Sequence, residues 1–298
     1  MARTAGARTA TATGAAVMCG LAAVLLAAGC GAARVEQSAP EDTRPRREKV
    51  AAAWEGSAAV RQWREGFHPL DAEDWQPPGG FRSGEDKAAY LDRNFLLRAE
   101  LPAGPTPVTP IRWADGNTLT LPLQDAAEAY EELDQEPDRD HALTVTAVRF
   151  GETSVPTSRG PAVVPAWLFT VEGYGTPLAR IAVRPQELPE PPVLPEERAD
   201  SAVAPLMGHS ARLPDTTAFT VSAGHGSCDA GAAVDVLEGA DTVVLAGRIL
   251  VRTDLDPGAA CDAMLRAQQV QVTLARPLGD RLVVDAATGA PLPYRPDR

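Results

Sequence analysis

The sequence predicts an α+β protein that is mainly antiparallel β-sheet, arranged as two small domains behind a lipidated, disordered tether. Three observations lead to this prediction: an apolar stretch that ends in a cysteine, many short segments of alternating apolar and polar residues, and a proline-rich segment that separates two groups of them. The 298 residues are 44% hydrophobic, which is enough to bury one or two ordinary cores.

Residues 1–29 have the three parts of an export signal. Arg3 and Arg8 are followed by an apolar stretch over residues 15–28, which is shorter than the roughly twenty residues that span a bilayer. Two small residues then precede Cys30, as in the lipobox of bacterial lipoproteins. We therefore expect cleavage before Cys30 and a lipid such as palmitate at that residue, on the extracytoplasmic face of the cell membrane. An uncleaved signal anchor is the alternative.

Residues 30–47 combine charge with proline and lack apolar periodicity, which predicts a disordered tether. The chain has a formal net charge of −12, which disfavours nucleic acid and anionic lipid surfaces as partners. The predicted partners are the membrane, reached through the lipid anchor, and either a cell-wall component or a protein.

Residues 48–184 are predicted to form an N-terminal α+β domain. Residues 48–67 place Trp54 and Trp63 at the spacing of an amphipathic helix, which favours a role in the core over stacking on sugar rings. Asp125 and Glu128 resemble the capping box of a second helix.

The strands of this first domain are predicted from alternation and turn residues. They cover residues 94–101, a hairpin over 111–121 that turns at Asp115-Gly116, and an antiparallel meander over 142–150, 162–171 and 178–183. Turns are expected at Gly151 and at residues 158–161. Pro165 indicates a bulge or an edge position in the middle strand of the meander.

A proline- and glutamate-rich segment, residues 185–205, is predicted to be an extended linker or a strap across the surface. Residues 206–298 then form a β-rich C-terminal domain, an antiparallel sheet or a small sandwich. Its predicted strands are residues 217–222, 233–238, 242–252, 268–275 and 281–285.

Two cysteines remain outside the signal and the lipid site, Cys228 and Cys261. In an oxidising compartment an isolated pair predicts a disulfide. A zinc site that includes His225 is the alternative, but it needs two further ligands at suitable spacing.

No sequence motif for catalysis stands out. The chain lacks G-x-S-x-G, H-E-x-x-H and a glycine-rich phosphate loop. His225, Ser227 and Asp229 are the residue types of a triad, but they lie too close in sequence to face each other across a site. Asp254 and Asp256 resemble the start of a calcium loop, but the later ligands are missing, which favours an ordinary acidic turn. We predict no catalytic residue, no cofactor and no metal.

Four segments resemble parts of uncharacterised secreted lipoproteins of high-GC Gram-positive bacteria: residues 157–171, 223–229, 277–281 and 285–289. The resemblance covers most of residues 48–298 and implies the anchor and the β-rich halves, without an established activity. We therefore expect a non-enzymatic binding or envelope-associated protein. A secreted hydrolase with an unfamiliar active site is the alternative.

Overall fold

The computed structural model describes residues 42–70, 75–103, 107–135, 141–184, 187–195, 203–211, 214–255 and 260–295. The predicted signal, Cys30, Asp256 and most of the predicted tether lie outside these ranges. No helix in the described ranges is long and apolar enough to cross a membrane.

The described chain is mostly β-sheet with few helices, as the sequence predicts. The helices are α1 (Arg44–Trp54), α2 (Ala58–Glu65), α3 (Gly84–Leu91) and α4 (Ala126–Leu133). The first strands are β1 (Phe95–Leu97), β2 (Ile111–Trp113), β3 (Thr118–Leu119), β4 (Leu143–Thr157), β5 (Gly160–Val171) and β6 (Leu178–Ile181). The later strands are β7 (Leu206–His209), β8 (Ala218–His225), β9 (Asp229–Glu238), β10 (Thr242–Val251), β11 (Arg266–Thr273) and β12 (Leu282–Asp285).

The helix predicted over residues 48–67 is two helices, because the chain turns between them. Gly56 has φ +64°, which ends α1, and the Ser57 hydroxyl accepts from the Val60 amide at 3.2 Å to cap α2. Helix α1 also begins earlier than expected, at Arg44, so the predicted disordered tether does not extend to residue 47. Proline in its first turn is compatible with this start.

Strands β1 to β6 form one six-stranded sheet in the order β1-β4-β5-β2-β3, with β6 also paired to β5. The predicted antiparallel meander is confirmed as β4, β5 and β6. The turn expected at Gly151 is wrong, because β4 continues through this residue. A β-carbon here would lie 2.6 Å from Leu168 Cδ1. Glycine at this position therefore allows Leu168 to pack closely and does not form a turn.

The expected bulge or edge position at Pro165 is also wrong. This proline lies in the central strand β5 opposite Glu152, and the register shift of β4 falls at Val145 instead. The Pro165 carbonyl accepts from the Ala182 amide, so its nitrogen faces the same side of the strand, away from β4. The missing N–H therefore leaves the β4–β5 pairing intact.

The later strands form two three-stranded sheets that share one core. Their orders are β12-β10-β9 and β11-β8-β7. The buried core contains Val221 and Phe219 of one sheet together with Val243 and Leu245 of the other, which is the packing of a small sandwich. Strand β7 was not predicted, and β10 pairs with β12 in parallel rather than antiparallel fashion.

Helix α1 packs against the later strands. Its Trp54 is fully buried, and the indole nitrogen donates to the Gly289 carbonyl at 2.9 Å. Buried Arg46 donates to the carbonyls of Ala286 at 2.7 Å and Leu194 at 2.8 Å. Trp63 of α2 is also buried in this core, so the core role of the two tryptophans is confirmed and the sugar-stacking alternative is wrong.

Cys228 and Cys261 form the predicted disulfide, with their Cα atoms 5.5 Å apart. Cys228 lies in the turn between β8 and β9, and Cys261 precedes β11. The bond leaves neither sulfur available as a thiolate ligand, so the alternative zinc site at these cysteines is wrong.

Candidate functional site

Three adjoining cavities meet around Pro161 and form one cleft. Their volumes are about 230, 580 and 770 Å³. The two larger cavities share Ser154 and Tyr294, and the smallest shares Ala114 with one of them and His209 with the other. The cleft therefore lies between the six-stranded sheet and the later strands.

The smallest cavity, called the charged cavity below, is walled by three turns. Two are hairpin turns: residues 114–117 between β2 and β3, and Ser158-Arg159 between β4 and β5. The third is the segment 278–281 before β12. Gly116 and Gly160 have φ +86° and +91°, which L-residues with side chains rarely adopt, so both hairpins need glycine at these positions.

Arg159 stands at the tip of its hairpin and faces this cavity. Its guanidinium carbon lies 4.1 Å from the ring centroid of Trp113, a cation–π arrangement. The buried Trp113 ring is itself fixed by a hydrogen bond from its indole nitrogen to Thr157 Oγ1 at 3.0 Å. Burial lowers the pKa of Arg159, although the nearby Asp115 carboxylate partly opposes this shift.

The Arg159 guanidinium makes no hydrogen bond to any residue in the described ranges. Its charge partner is Asp115, whose Oδ2 lies 3.9 Å from Nη2, beyond hydrogen-bonding distance. Since a guanidinium has five N–H donors in a planar fork, the side chain offers an oriented and unused set of donors to the cavity.

Two other arginines line the charged cavity, and both are committed to protein partners. Buried Arg281 pairs with Glu238 at 2.9 Å and also donates to three backbone carbonyls. Arg64 pairs with Asp241 at 3.0 Å and donates to the backbone carbonyl of the same residue. Arg159 thus differs from these two neighbours, because its guanidinium makes no hydrogen bond within the described ranges.

His209 and Ser158 also line this cavity, but their polar atoms are used within the protein. Burial lowers the pKa of His209 to about 4, so the ring is neutral at pH 7. Its Nδ1 accepts from the Ala211 amide at 3.2 Å, and the ring also hydrogen-bonds the Leu292 backbone. Ser158 Oγ donates to the Trp63 carbonyl at 3.0 Å. These bonds leave no paired base and nucleophile at this place.

The triad residue types in the sequence are not brought together as a triad. His225 Nδ1 contacts the Gly226 carbonyl at 2.9 Å, and Ser227 Oγ donates to the Asp262 carbonyl at 3.3 Å. The Asp229 carboxylate accepts from the Gly226 amide. Within the described ranges, no group of three or more histidine, cysteine, aspartate or glutamate side chains is placed to hold a metal ion.

The sequence did not mark Arg159, Trp113 or Asp115 as site residues. It predicted both hairpin turns that carry them, at Asp115-Gly116 and at residues 158–161. The available signal was an arginine at a hairpin tip between serine and glycine. Nothing local indicates that the two turns face each other, because that contact depends on the pairing of β2 with β5.

Two segments that carry the resemblance to secreted lipoproteins supply walls of the charged cavity. Ser158 to Pro161 come from the first segment, and Leu278 to Arg281 from the third. The family resemblance remains a prediction. Comparison of the chain with protein-family models, with curated proteins and with solved structures finds no match in any of the three.

Proposed function

We propose that this chain is a lipid-anchored extracytoplasmic protein that acts by binding rather than by catalysis, and that its cleft takes a ligand through a carboxyl group. The ligand belongs to a cell-wall component or to a partner protein. The single observation on which this rests is the Arg159 guanidinium, which is stacked on Trp113 and has no hydrogen bond within the described ranges.

A partly buried guanidinium that makes no hydrogen bond is energetically unfavourable. A partly desolvated guanidinium is more weakly hydrated than an exposed one, so a planar carboxylate that replaces its remaining water forms two parallel charge-assisted hydrogen bonds. Stacking on Trp113 holds the fork in one orientation, which reduces the entropy lost on binding. Hydrogen bonds to charged groups contribute about 1.5–3 kcal/mol each.

The alternative of a secreted hydrolase receives less support from the same cavity. Its serine and its histidine, Ser158 and His209, hydrogen-bond to backbone groups rather than to each other. Burial lowers the pKa of His209. This shift does not indicate a general base, because the ring has no free lone pair directed at a nucleophile.

The two-domain arrangement, with a linker at residues 185–205, belongs to the same proposal. In its support, the strands of the six-stranded sheet all precede residue 182, and those of the other two sheets all follow residue 205. Residues 187–195 contact the later half, since Val193 packs against the core that contains Val244 and Leu282, which favours a strap over a free linker. Helices α1 and α2 nevertheless pack on strands of the later half, outside the predicted N-terminal domain.

The anchor is tested at Cys30. Since one acyl chain binds membranes only marginally, stable anchoring needs the several chains that a lipoprotein carries. Cys30→Ser should abolish labelling by radioactive palmitate and leave the signal uncleaved by the lipoprotein peptidase. Cys228→Ser serves as the control for loss of a cysteine. A Cys30→Ser protein that is labelled, processed and fractionated like wild type would overturn the anchor.

The binding site is tested with propionate as the probe. In a titration followed by NMR, propionate should shift the indole N–H signal of Trp113, the ring under Arg159. Arg159→Ala should weaken propionate binding at least about tenfold, because two charge-assisted hydrogen bonds are lost. Arg184→Ala is the matched control, since Arg184 is exposed and pairs with Glu128 away from the cleft. Equal affinity in wild type and Arg159→Ala would contradict the proposal.

A further inference from the structure

The charges of the charged cavity do not match a simple anion. Arg64 and Arg281 are neutralised by Asp241 and Glu238 at 3.0 and 2.9 Å. The Asp280 carboxylate is 84% exposed and lies 3.7 Å from the same Arg64 guanidinium. The charges of the cavity that remain are those of Arg159 and Asp115. A ligand with a single negative charge would therefore meet one available cation, Arg159, with the Asp115 carboxylate beside it.

Asp115 is held in a fixed position beside Arg159. Its two carboxylate oxygens accept from the backbone amide and the side-chain amide of Asn117, at 2.9 and 2.8 Å. A carboxylate has about four acceptor positions, so two of them stay open. The Asp115 side chain is 30% exposed and lines the cavity, where a ligand can reach it.

Asp115 and Arg159 are close but do not hydrogen-bond to each other, with 3.9 Å between Oδ2 and Nη2. Two opposite charges at this separation form a dipole whose positive end attracts a carboxylate and whose negative end attracts an ammonium group. A carboxylate bound to Arg159 alone would be repelled by Asp115. An ammonium group on the same ligand is attracted to Asp115 and offsets that repulsion.

We propose that the charged cavity binds an amino-acid head, a carboxylate and an ammonium group on one carbon, with the carboxylate on Arg159 and the ammonium group on Asp115. The volume of about 230 Å³ lies below the roughly 300–1,000 Å³ of ordinary ligand pockets, which limits the bound part to a small head group. This inference rests on the proposed binding function and deepens it by naming the ligand class.

The head group has two possible sources with the same chemistry: a free amino acid, or an amino-acid end displayed on a larger wall peptide. The adjoining cavities of about 580 and 770 Å³ open from the charged cavity at Ala114 and His209 and leave room for a larger molecule. Alanine represents the first source. A backbone end of a peptide carries only one of the two groups, so the second source is represented by a soluble wall peptide with a free carboxylate and a free ammonium group on one side-chain carbon.

The test compares ligands that differ by one charge. D- and L-alanine, propionate, N-acetylalanine and isopropylamine are titrated separately into the full-length protein, with the Trp113 indole N–H as the readout. The tighter alanine enantiomer should bind at least about tenfold more strongly than propionate or N-acetylalanine, which lack the ammonium group. The wall peptide should bind as tightly as alanine if the head alone is recognised, and more tightly if the larger cavities contribute.

Asp115→Asn keeps the size of the side chain and an acceptor for the Asn117 amide but removes the charge. It should bring alanine and propionate to within about threefold of each other, with propionate binding retained or improved. Asp254→Asn, at a side chain 79% exposed and not among the cleft residues, is the control and should preserve the tenfold preference. Thermal unfolding of each variant shows that the fold is retained.

The outcomes separate this inference from the proposed function. If propionate binds in an Arg159-dependent manner but alanine binds no better, the amino-acid head is overturned and the carboxylate site stands. The same conclusion follows if Asp115→Asn keeps the full preference for alanine. If neither ligand shifts the Trp113 signal, both proposals are overturned.

Discussion

The six-stranded sheet and the later sandwich are built from different side chains. The core of the sheet is rich in large rings; its buried aromatic residues are Trp75, Phe95, Trp167 and Phe169. The core between the later sheets consists of valine, leucine and alanine, with Phe219 as its single buried aromatic residue among those described. The sandwich adds a disulfide and the packing of α1, neither of which the sheet has. Large buried rings thus stabilise one half, and a disulfide and a packed helix stabilise the other.

The largest effect is expected from removing a ring from the sheet. Phe169 is fully buried and lies 6.2 Å from the Tyr130 ring, so Phe169→Ala should lower the free energy of unfolding by about 3–5 kcal/mol through lost burial and a cavity. Denaturant titration measures this change. Leu91→Ala, at an exposed position, is the control and should change stability by less than about 0.5 kcal/mol. If Phe169→Ala lost less than about 1 kcal/mol, the buried rings would not be a main source of stability for the six-stranded sheet.

A somewhat smaller effect, confined to the sandwich, is expected from removing the disulfide. The bond closes a loop with a sequence separation of 33, worth about 3–4 kcal/mol in the chain-entropy model. The double variant Cys228→Ser/Cys261→Ser should therefore exchange amide hydrogens faster in β8, β9 and β11, while the β4–β5 hairpin is protected as in wild type.

Hydrogen exchange followed by mass spectrometry resolves the two halves in that experiment. Equal loss of protection in β4–β5 and in the sandwich would mean that the halves unfold as one unit. In that case the difference in core composition would have no counterpart in local stability.

Two buried titratable groups of the sandwich should oppose each other as the pH changes. Burial lowers the pKa of His209 from 6.5 to about 4. The contribution of His209 to the free energy of unfolding is therefore complete above pH 6.5 and is lost as the pH falls toward 4. Burial raises the pKa of Asp285 from 3.8 to about 6, so stability is lost as the pH rises from 3.8 toward 6. Each shift corresponds to about 3 kcal/mol.

Single variants should reveal this compensation. Asp285→Asn should lose about 3 kcal/mol between pH 6.5 and pH 4, because the His209 contribution is then unopposed. His209→Gln should instead become more stable over the same range. Urea titrations at intervals of half a pH unit provide the measurement. A wild-type profile and an Asp285→Asn profile that run parallel would rule out the compensation.

The smallest effect is expected from removing the N-terminal cap of α4, in the half that contains the six-stranded sheet. The Asp125 carboxylate accepts from the amides of Ala127 and Glu128, both at 2.9 Å, and Glu128 completes the capping box. Asp125→Ala should cost about 1 kcal/mol in thermal or chemical unfolding. Glu131→Ala, within the same helix but away from the cap, should be close to neutral, and similar losses in both variants would argue against a specific capping role.

The parts of this fold that can be predicted are those determined by residues close in sequence. Alternation located β5, β8, β9, β10 and β11 to within a few residues, and the capping box located α4. Parallel pairing of β1 with β4, and of β10 with β12, is set by contacts distant in sequence and has no local signal.

The candidate site shows the same limit. The turns that hold Asp115 and Arg159 were predicted because their glycines and polar residues are adjacent in sequence. Their juxtaposition depends on two residue pairs between β2 and β5, Arg112 with Val163 and Trp113 with Ala162. The disulfide was the exception, because an isolated pair of cysteines leaves few other partners.

The bond from Trp54 to Gly289 has a consequence for the time course of folding. The two residues are 235 positions apart, so after α1 leaves the ribosome another 235 residues must be synthesised before its indole finds its acceptor. At about 5–20 residues per second this takes on the order of ten seconds or longer. Throughout that interval the apolar face of α1 is without its core and is open to chaperones.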